Sequence, residues 1–469
     1  MLPTPDLAFP NRSLRAGHLL VWCFVALGLL LACGGGGSSQ GTSGSQPSGS
    51  QPTPDPSAKE KAFILKTVRE HYLFPEDLPA QVDLGQVATP QNLLEVLTRK
   101  AVDAGRDRWS RLVGRAASKE SEGQDLEDAG NGVEPEQGFG FFHEVIGKKV
   151  IVTEVLPGSG ASRAGLRRGD EILAFTRASL GNLDQIQDLL QKSPNPAAVL
   201  AAVGAKGWGA TASGGSVGYF RIQSAVTGRR VDCTVTQTPI PSYAGIHSAH
   251  LDLGGGRKVG YLRFREFRIA EAPRLRVAFA HFKHEGVRDL VLDLRYNSGG
   301  DSAIRELLLN LLRDHPAPGD IVVQQLGPGG KVQKTVGFQA QPESIGLHKI
   351  AIIVSGDSAS ASEATVKALE PYCHQNLALV GARTGGKPVG QTVFPVPGSQ
   401  WDLWLTTFRV VNKEGRGDWY GGLPDPGFQG VTAACADDLA HLPGDRQEAC
   451  TQAALEWIAH GTVPHGPIP

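Results

Sequence analysis

Ile350-Ala351-Ile352-Ile353-Val354-Ser355-Gly356-Asp357-Ser358-Ala359-Ser360-Ala361-Ser362-Glu363 reads as a buried strand, a tight turn and the entrance of a helix. Five consecutive apolar residues suit a strand covered on both faces, Gly356 breaks it, and Ala361 to Leu369 continues at helical spacing. The same alternation surrounds it. Val259 to Phe264 reads as a strand, Arg274 to His284 as a helix, Asp289 to Leu294 as a strand, Ser302 to Asp314 as a helix, and Leu377 to Val380 as another strand. Strands alternating with helices predict an α/β sheet from Ser242 onward, with its site where strands end and helices begin. The loops Asn297 to Asp301 and Gly356 to Ser360 both fall at such ends.

Chemistry points to the same loops. A serine hydroxyl is a weak nucleophile at neutral pH and needs a neighbouring base, and a lysine serves only where a dry pocket lowers its pKa. Ser358, Ser360 and Ser362 are candidates on spacing alone, and unpaired amides at a helix entrance can hold an oxyanion. Gly386-Lys387-Pro388-Val389-Gly390-Gln391 follows after a helix-length interval and supplies the base. Other serine-enzyme patterns fail on context. Gly214-Gly215-Ser216-Val217-Gly218 matches a nucleophile elbow but precedes strand-like Tyr219 to Ile222, where a helix is required, and no S-x-x-K occurs.

Ser-Ala-Ser-Ala-Ser-Glu, a later Gly-Lys-x-x-x-Gln, and the preceding Leu292-Asp293-Leu294-Arg295-Tyr296-Asn297-Ser298-Gly299-Gly300 together resemble the C-terminal processing peptidases, the tail-specific serine proteases. The resemblance implies that Ser360 attacks, Lys387 is the general base, Gln391 positions the lysine, and backbone amides of Gly299 or Gly300 and of Ala361 form the oxyanion hole. Asp107-Arg108-Trp109-Ser110 resembles a short motif of the same relatives. Pro388 departs from the family's usual glycine after the lysine, and the Ser360 to Lys387 interval is slightly long. Asp293 and Arg295 flank a buried strand end and are assigned to holding the loop.

Gln137 to about Thr238 reads as a β-rich module, with strand-like Lys149 to Val155 and Val231 to Thr236. Val155-Leu156-Pro157-Gly158-Ser159-Gly160-Ala161 and Ala164-Gly165-Leu166-Arg167-Arg168-Gly169-Asp170-Glu171-Ile172-Leu173 resemble a PDZ domain of bacterial proteases, with Ala164 and Leu166 packed inward and a turn at Gly169-Asp170. Gly138-Phe139-Gly140-Phe141 looks like that family's carboxylate-binding loop, where a peptide's C-terminus is captured and its strand added to the sheet edge.

Ahead of this module, Phe63, Ile64, Val68 and Leu93, Leu94, Val96, Leu97 recur at helical intervals, and the helical pattern is read from Ala58 to about Arg115. Arg12 and Arg15 precede an apolar run, Leu19 to Leu31, which reads as an export signal. Leu30-Leu31-Ala32-Cys33 resembles a bacterial lipobox, implying a lipid on Cys33, and Gly34 to Pro56 reads as a flexible stalk. The organisation expected is 1–32 signal peptide, 33–57 linker, 58–130 helical domain, 131–241 PDZ domain and 242–469 α/β catalytic domain of the tail-specific protease type.

Composition narrows the rest. The 46 basic and 47 acidic residues of the 469-residue chain nearly cancel, so charge nominates no nucleic-acid partner. Four cysteines remain after Cys23 and Cys33, and Cys435 with Cys450 is the preferred disulfide; Cys233 and Cys373 are equally readable as buried thiols. No C-x-x-C or H-E-x-x-H pattern occurs, so neither a metal nor an organic cofactor is expected. The combined expectation is a lipid-anchored, periplasm-facing serine endopeptidase acting on protein or peptide tails, sorted to the outer membrane. The alternatives are a catalytically impaired PDZ adaptor and a structural envelope lipoprotein.

Overall fold

The computed structural model describes residues 57–115, 137–177, 180, 184–185, 216–239, 245–463 and 466–468. The expected signal peptide, Cys33, nearly all of the linker and most of the Ala178 to Gly218 insertion lie outside them. The chain is a multidomain α/β protein with N-terminal helices, the β-rich module expected to be a PDZ domain, and the α/β domain expected to be catalytic.

The catalytic domain is built on a six-stranded sheet in the order Ile246–Asp252, Lys258–Phe264, Asp289–Asp293, Lys349–Val354, Leu377–Gly381, Val431–Ala434. All but the first run parallel. Alternate side chains of these apolar strands supply two cores. Leu290, Leu292, Ile350, Ile352, Leu377 and Leu379 meet the helices Ala272–His284, Ser302–Leu312 and Ala361–Cys373. Val291, Ala351, Ile353, Ala378 and Val380 meet the helix Ala449–His460 on the other side. The strands expected from sequence fall where predicted, to within a residue or so.

A second sheet was not foreseen. The eleven-residue strand Trp401–Val411 pairs with Val389–Pro395, with Arg111–Gly114 and with Ile321–Leu326, which in turn pairs with Val332–Gly337. This corrects the helical reading up to Arg115. Helices Ala58–His71 and Pro90–Asp103 form as expected, but the chain then turns at Gly105 (φ +70°) and enters the catalytic sheet as a strand. Ile64, Val68, Leu93, Leu94 and Leu97 share one core with Val389, Leu403 and Leu405, so the helices pack on the sheet that carries the lysine motif.

In the PDZ domain, Phe139, Val152, Leu166, Ile172, Phe175, Phe220 and Val235 form a separate core. Gly140 (φ +80°) lies against Ser159, where a Cβ would come within 2.1 Å of the serine Cβ. Leu166 is buried as expected, while Ala164 caps the four-residue helix Gly160–Arg163 and is only partly buried. Cys435 and Cys450 form a disulfide that closes the loop between the strand Val431–Ala434 and the last helix, and Cys233 and Cys373 are free.

Candidate active site

The three serines separate by their partners. Ser358 Oγ donates to Leu294 O at 2.7 Å and accepts from Ser355 N, and Ser362 Oγ donates to Asn297 O at 2.8 Å. Both hydroxyls therefore stitch the nucleophile loop to the end of the strand Asp289–Asp293. Ser360 takes neither role. It stands just before the helix Ala361–Cys373 with φ +56° and ψ −113°, outside the regions that a residue with a Cβ readily occupies. Such strain persists only where surrounding bonds impose it, and here Ala359 N donates to Asn297 O on one side and Ser360 N to Glu363 Oε2 on the other.

The two glycines of the facing loop also separate. Gly299 N donates to Asn297 Oδ1 at 2.9 Å. A Cβ on Gly299 would lie 2.8 Å from Ser360 Cβ and 2.9 Å from Ala361 N, so only glycine permits this approach. Gly300 (φ +135°) bridges to Phe267, and among the described residues neither its amide nor that of Ala361 has a protein acceptor.

Glu363 organises the other half. Its fully buried carboxylate accepts from Ser360 N at 3.0 Å, Gly386 N at 2.7 Å, Lys387 N at 2.7 Å and the Thr384 hydroxyl. One oxygen, Oε2, takes both the Ser360 and Lys387 amides, which brings together two residues twenty-seven positions apart. Burial pushes the Glu363 carboxyl up, while the hydroxyl and the three amides oppose that shift.

Lys387 Nζ donates to Gln391 Oε1 at 3.0 Å. Burial, reinforced by the Arg111 charge, lowers its ammonium to about 8, against the opposing pull of Glu363 and Asp107. Among the described residues no hydrogen bond joins Nζ to Ser360 Oγ. Pro388, the departure from the family pattern, lacks an amide but its carbonyl accepts from Val410 N at 2.8 Å, so the lysine turn is anchored to the second sheet.

Behind the glycine loop, Arg295 is buried among Asp293, Asp437 and Glu448, and Tyr261 OH donates to Asp293 at 2.8 Å. Burial disfavours the Asp293 anion, yet Arg295 and its other donors hold it at about 2. These residues hold the loop, as their position at the strand end suggested. Sequence reasoning missed the PDZ side of the same cluster. Arg168 Nη2 of the PDZ domain reaches Asp437 Oδ1 at 2.6 Å, Arg263 Nη2 reaches Glu154 Oε2 at 2.8 Å, and Arg265 lies between the rings of Phe142 and Tyr296. The PDZ domain thus abuts the residues that precede the glycine loop. Of its Gly138 to Phe141 segment, Gly138 pairs with Thr238 in a separate two-stranded ladder and Phe141 opens the edge strand Phe141–Ile146, with Phe139 turned into the core and Gly140 O accepting from Leu156 N and Ser159 Oγ.

Glu363 was the most readable of the missed residues, because a glutamate three positions after a helix-capping serine is a capping-box signal. Its bonds to the lysine turn had no such signal.

Family comparisons follow the same order along the chain. Residues 258–425 match Peptidase family S41, 59–111 the Peptidase S41 N-terminal domain and 151–203 a PDZ domain. Residues 258–425 thus form a peptidase family S41 region. Among curated relatives, the chain is 29% identical over 288 residues to the chloroplastic carboxyl-terminal-processing peptidase 1 of Arabidopsis thaliana, covering 61% of this chain and 53% of that protein. It is 28% identical over 253 residues to the chloroplastic C-terminal processing peptidase of Tetradesmus obliquus, covering 53% of this chain and 50% of the relative. The chain thus spans about half the length of these two relatives. The S41 fold is shared with a putative S41 protease from Bacteroides fragilis, at 22% identity with a TM-score of 0.61 over 85% of this chain and 97% of the other. It is shared also with a photosystem II D1 C-terminal processing protease, at 18% identity and TM-score 0.51 over 84% and 96%.

Proposed function

We propose that this chain is a serine endopeptidase in which Ser360 is the nucleophile, Lys387 the general base and Gln391 the residue that orients the lysine. The observation that carries the reading is the shared Glu363 carboxylate oxygen, which holds the Ser360 and Lys387 amides in one cleft. For the reaction, Nζ leaves Gln391 Oε1 and reaches the hydroxyl. The neutral amine takes the Ser360 proton as Oγ attacks the scissile carbonyl, and the amides of Gly300 and Ala361 receive the oxyanion. The protonated lysine then delivers its proton to the leaving amine. The freed base deprotonates a water that hydrolyses the acyl-enzyme.

Protein tails are the proposed substrates, captured by the PDZ domain at Gly138, Phe139, Gly140 and Phe141 and passed to the cleft or used to open it. The Arg168 to Asp437 contact supports this, because it ties the PDZ domain to the cluster behind the glycine loop. An impaired adaptor is the second reading, favoured by the unformed bond between Ser360 and Lys387. A fluorophosphonate probe separates the two. The proposal expects labelling that maps to Ser360 and is lost in Ser360→Ala, together with turnover of an unfolded protein by wild type alone. Labelling that survives Ser360→Ala overturns the nucleophile assignment, and labelling without turnover favours the adaptor.

Only the free amine is a base, so kcat/KM rises with pH through about 8 and then levels. At pH 6 it is about a hundredfold below the plateau, tenfold for each unit. A profile flat between pH 6 and 9 would assign the base elsewhere.

The placement proposed is lipid anchoring at Cys33, facing the periplasm from the outer membrane, on the lipobox-like Leu30-Leu31-Ala32-Cys33 and the Gly34 that follows. A fatty-acid label incorporated in cells disappears in Cys33→Ser; incorporation that persists removes this anchor.

A further inference from the structure

The segment Asp107-Arg108-Trp109-Ser110-Arg111 leads from the helical region into the second sheet. Asp107 is fully buried and shapes it. Its Oδ1 accepts from the amides of Trp109 and Ser110, each at 3.0 Å, and from the Thr406 hydroxyl at 2.9 Å, while Oδ2 accepts from Tyr72 OH at 2.8 Å. This four-donor clamp fixes where the strand Arg111–Gly114 begins.

Register then sets the side chains. Arg111 pairs with Trp404, Trp404 with Val393, and Thr406 with Gln391. Directly paired residues share a sheet face, as do residues two apart on one strand. Arg111 therefore emerges on the face that carries Gln391, the residue that holds Lys387 Nζ. Two more contacts join the segment to the lysine. The Trp109 ring centroid lies 5.9 Å from Nζ, and Arg108 Nη2 reaches the carbonyl of Gly386 at 3.4 Å.

Arg111 itself is steadied without being neutralised. Nη1 donates to Trp109 O at 3.2 Å and the guanidinium lies 4.9 Å over the Trp404 ring, but among the described residues no carboxylate pairs with it. The charged groups around Lys387 are Arg111 from the strand, Arg108 at the Gly386 carbonyl, Glu363 from the nucleophile helix and Asp107 from the clamp. Both carboxylates favour an ammonium, and each is occupied by backbone donors. Of the two cations, Arg111 is the one that the sheet register directs onto the face carrying Gln391.

Resting on the reading of Lys387 as the base, we propose that Arg111 is a positioning residue for the reaction. Its unpaired charge, delivered by the Asp107 clamp onto the Gln391 face, disfavours an ammonium at Lys387 and keeps the amine ready for the Ser360 proton. The segment that joins the N-terminal helices to the second sheet thereby contributes to catalysis as well as to packing. Because the guanidinium reaches solvent, its influence is screened by salt, whereas that of the buried carboxylates is screened much less.

The test reads the amine directly and needs no turnover. In the full chain carrying Ser360→Ala, acetic anhydride labelling of Lys387 is compared by mass spectrometry with that of the exposed Lys59. Adding Arg111→Gln lowers Lys387 labelling at pH 7 about threefold or more, the gap closing towards pH 10 as both amines become free. Arg111→Lys, which keeps the charge, restores it. With Arg111 in place, raising salt to about 0.5 M also lowers the labelling. Labelling unchanged in a folded Arg111→Gln protein overturns the proposal; should that variant not fold, an absent salt response does so. Loss of the base reading is a separate result, seen as turnover that survives Lys387→Ala whatever the labelling shows.

Discussion

Lys387→Ala lowers kcat/KM by at least about a thousandfold, within the range a general base contributes. No other described amine or imidazole bonds to Gln391, and water alone is a poor base for the Ser360 hydroxyl. Lys387→Arg fails to rescue, because a guanidinium keeps its proton at every working pH and cannot accept one. Folding survives in Lys387→Ala, since the lysine's backbone amide, not its side chain, carries the bond to Glu363. Turnover of an unfolded protein, with a thermal melt on the same sample, checks both statements. Retention of a tenth of the activity would rule the lysine out as base.

Glu363→Gln reduces kcat about a hundredfold, the loss that a displacement of about 1 Å in a reacting group can produce. The carboxylate takes three amides and a hydroxyl with two oxygens. A glutamine offers one acceptor oxygen and turns an N–H toward donors, leaving buried amides unpaired at roughly 1–3 kcal/mol each. The serine and lysine turns lose their common tie, so kcat falls more than KM changes, and fluorophosphonate labelling of Ser360 slows in step. A variant with reduced stability but unchanged kcat would make Glu363 a packing residue only.

The legible parts of this protein are those encoded locally. Apolar runs and helical spacing in Val259 to Phe264, Ala361 to Leu369 and Ile350 to Val354 mark elements that the structure contains, because burial of both sheet faces demands such runs wherever they occur. Arg111–Gly114 carries no comparable signal. It is a four-residue strand whose partner, Trp401–Trp404, lies almost three hundred residues away, so tertiary pairing overrides the helical pattern that precedes it. The strand Trp401–Val411 and the helix Ala449–His460 likewise lie outside the elements expected from sequence.

Residue types and order offered Ser358, Ser360 and Ser362 alike, with Lys387, the glycine loop and the disulfide pair Cys435 and Cys450; the family resemblance then singled out Ser360 and gave Lys387 and Gln391 their roles. Tertiary structure supplied the physical reason, binding the Ser358 and Ser362 hydroxyls to backbone while leaving Ser360 out of that role, engaged the Gly299 amide while leaving that of Gly300, and gave Glu363 its hold on two distant turns. The reason is physical. Periodicity and turn chemistry act over a few residues and leave their mark in spacing, whereas a hydrogen bond across a fold depends on which segments packing brings together.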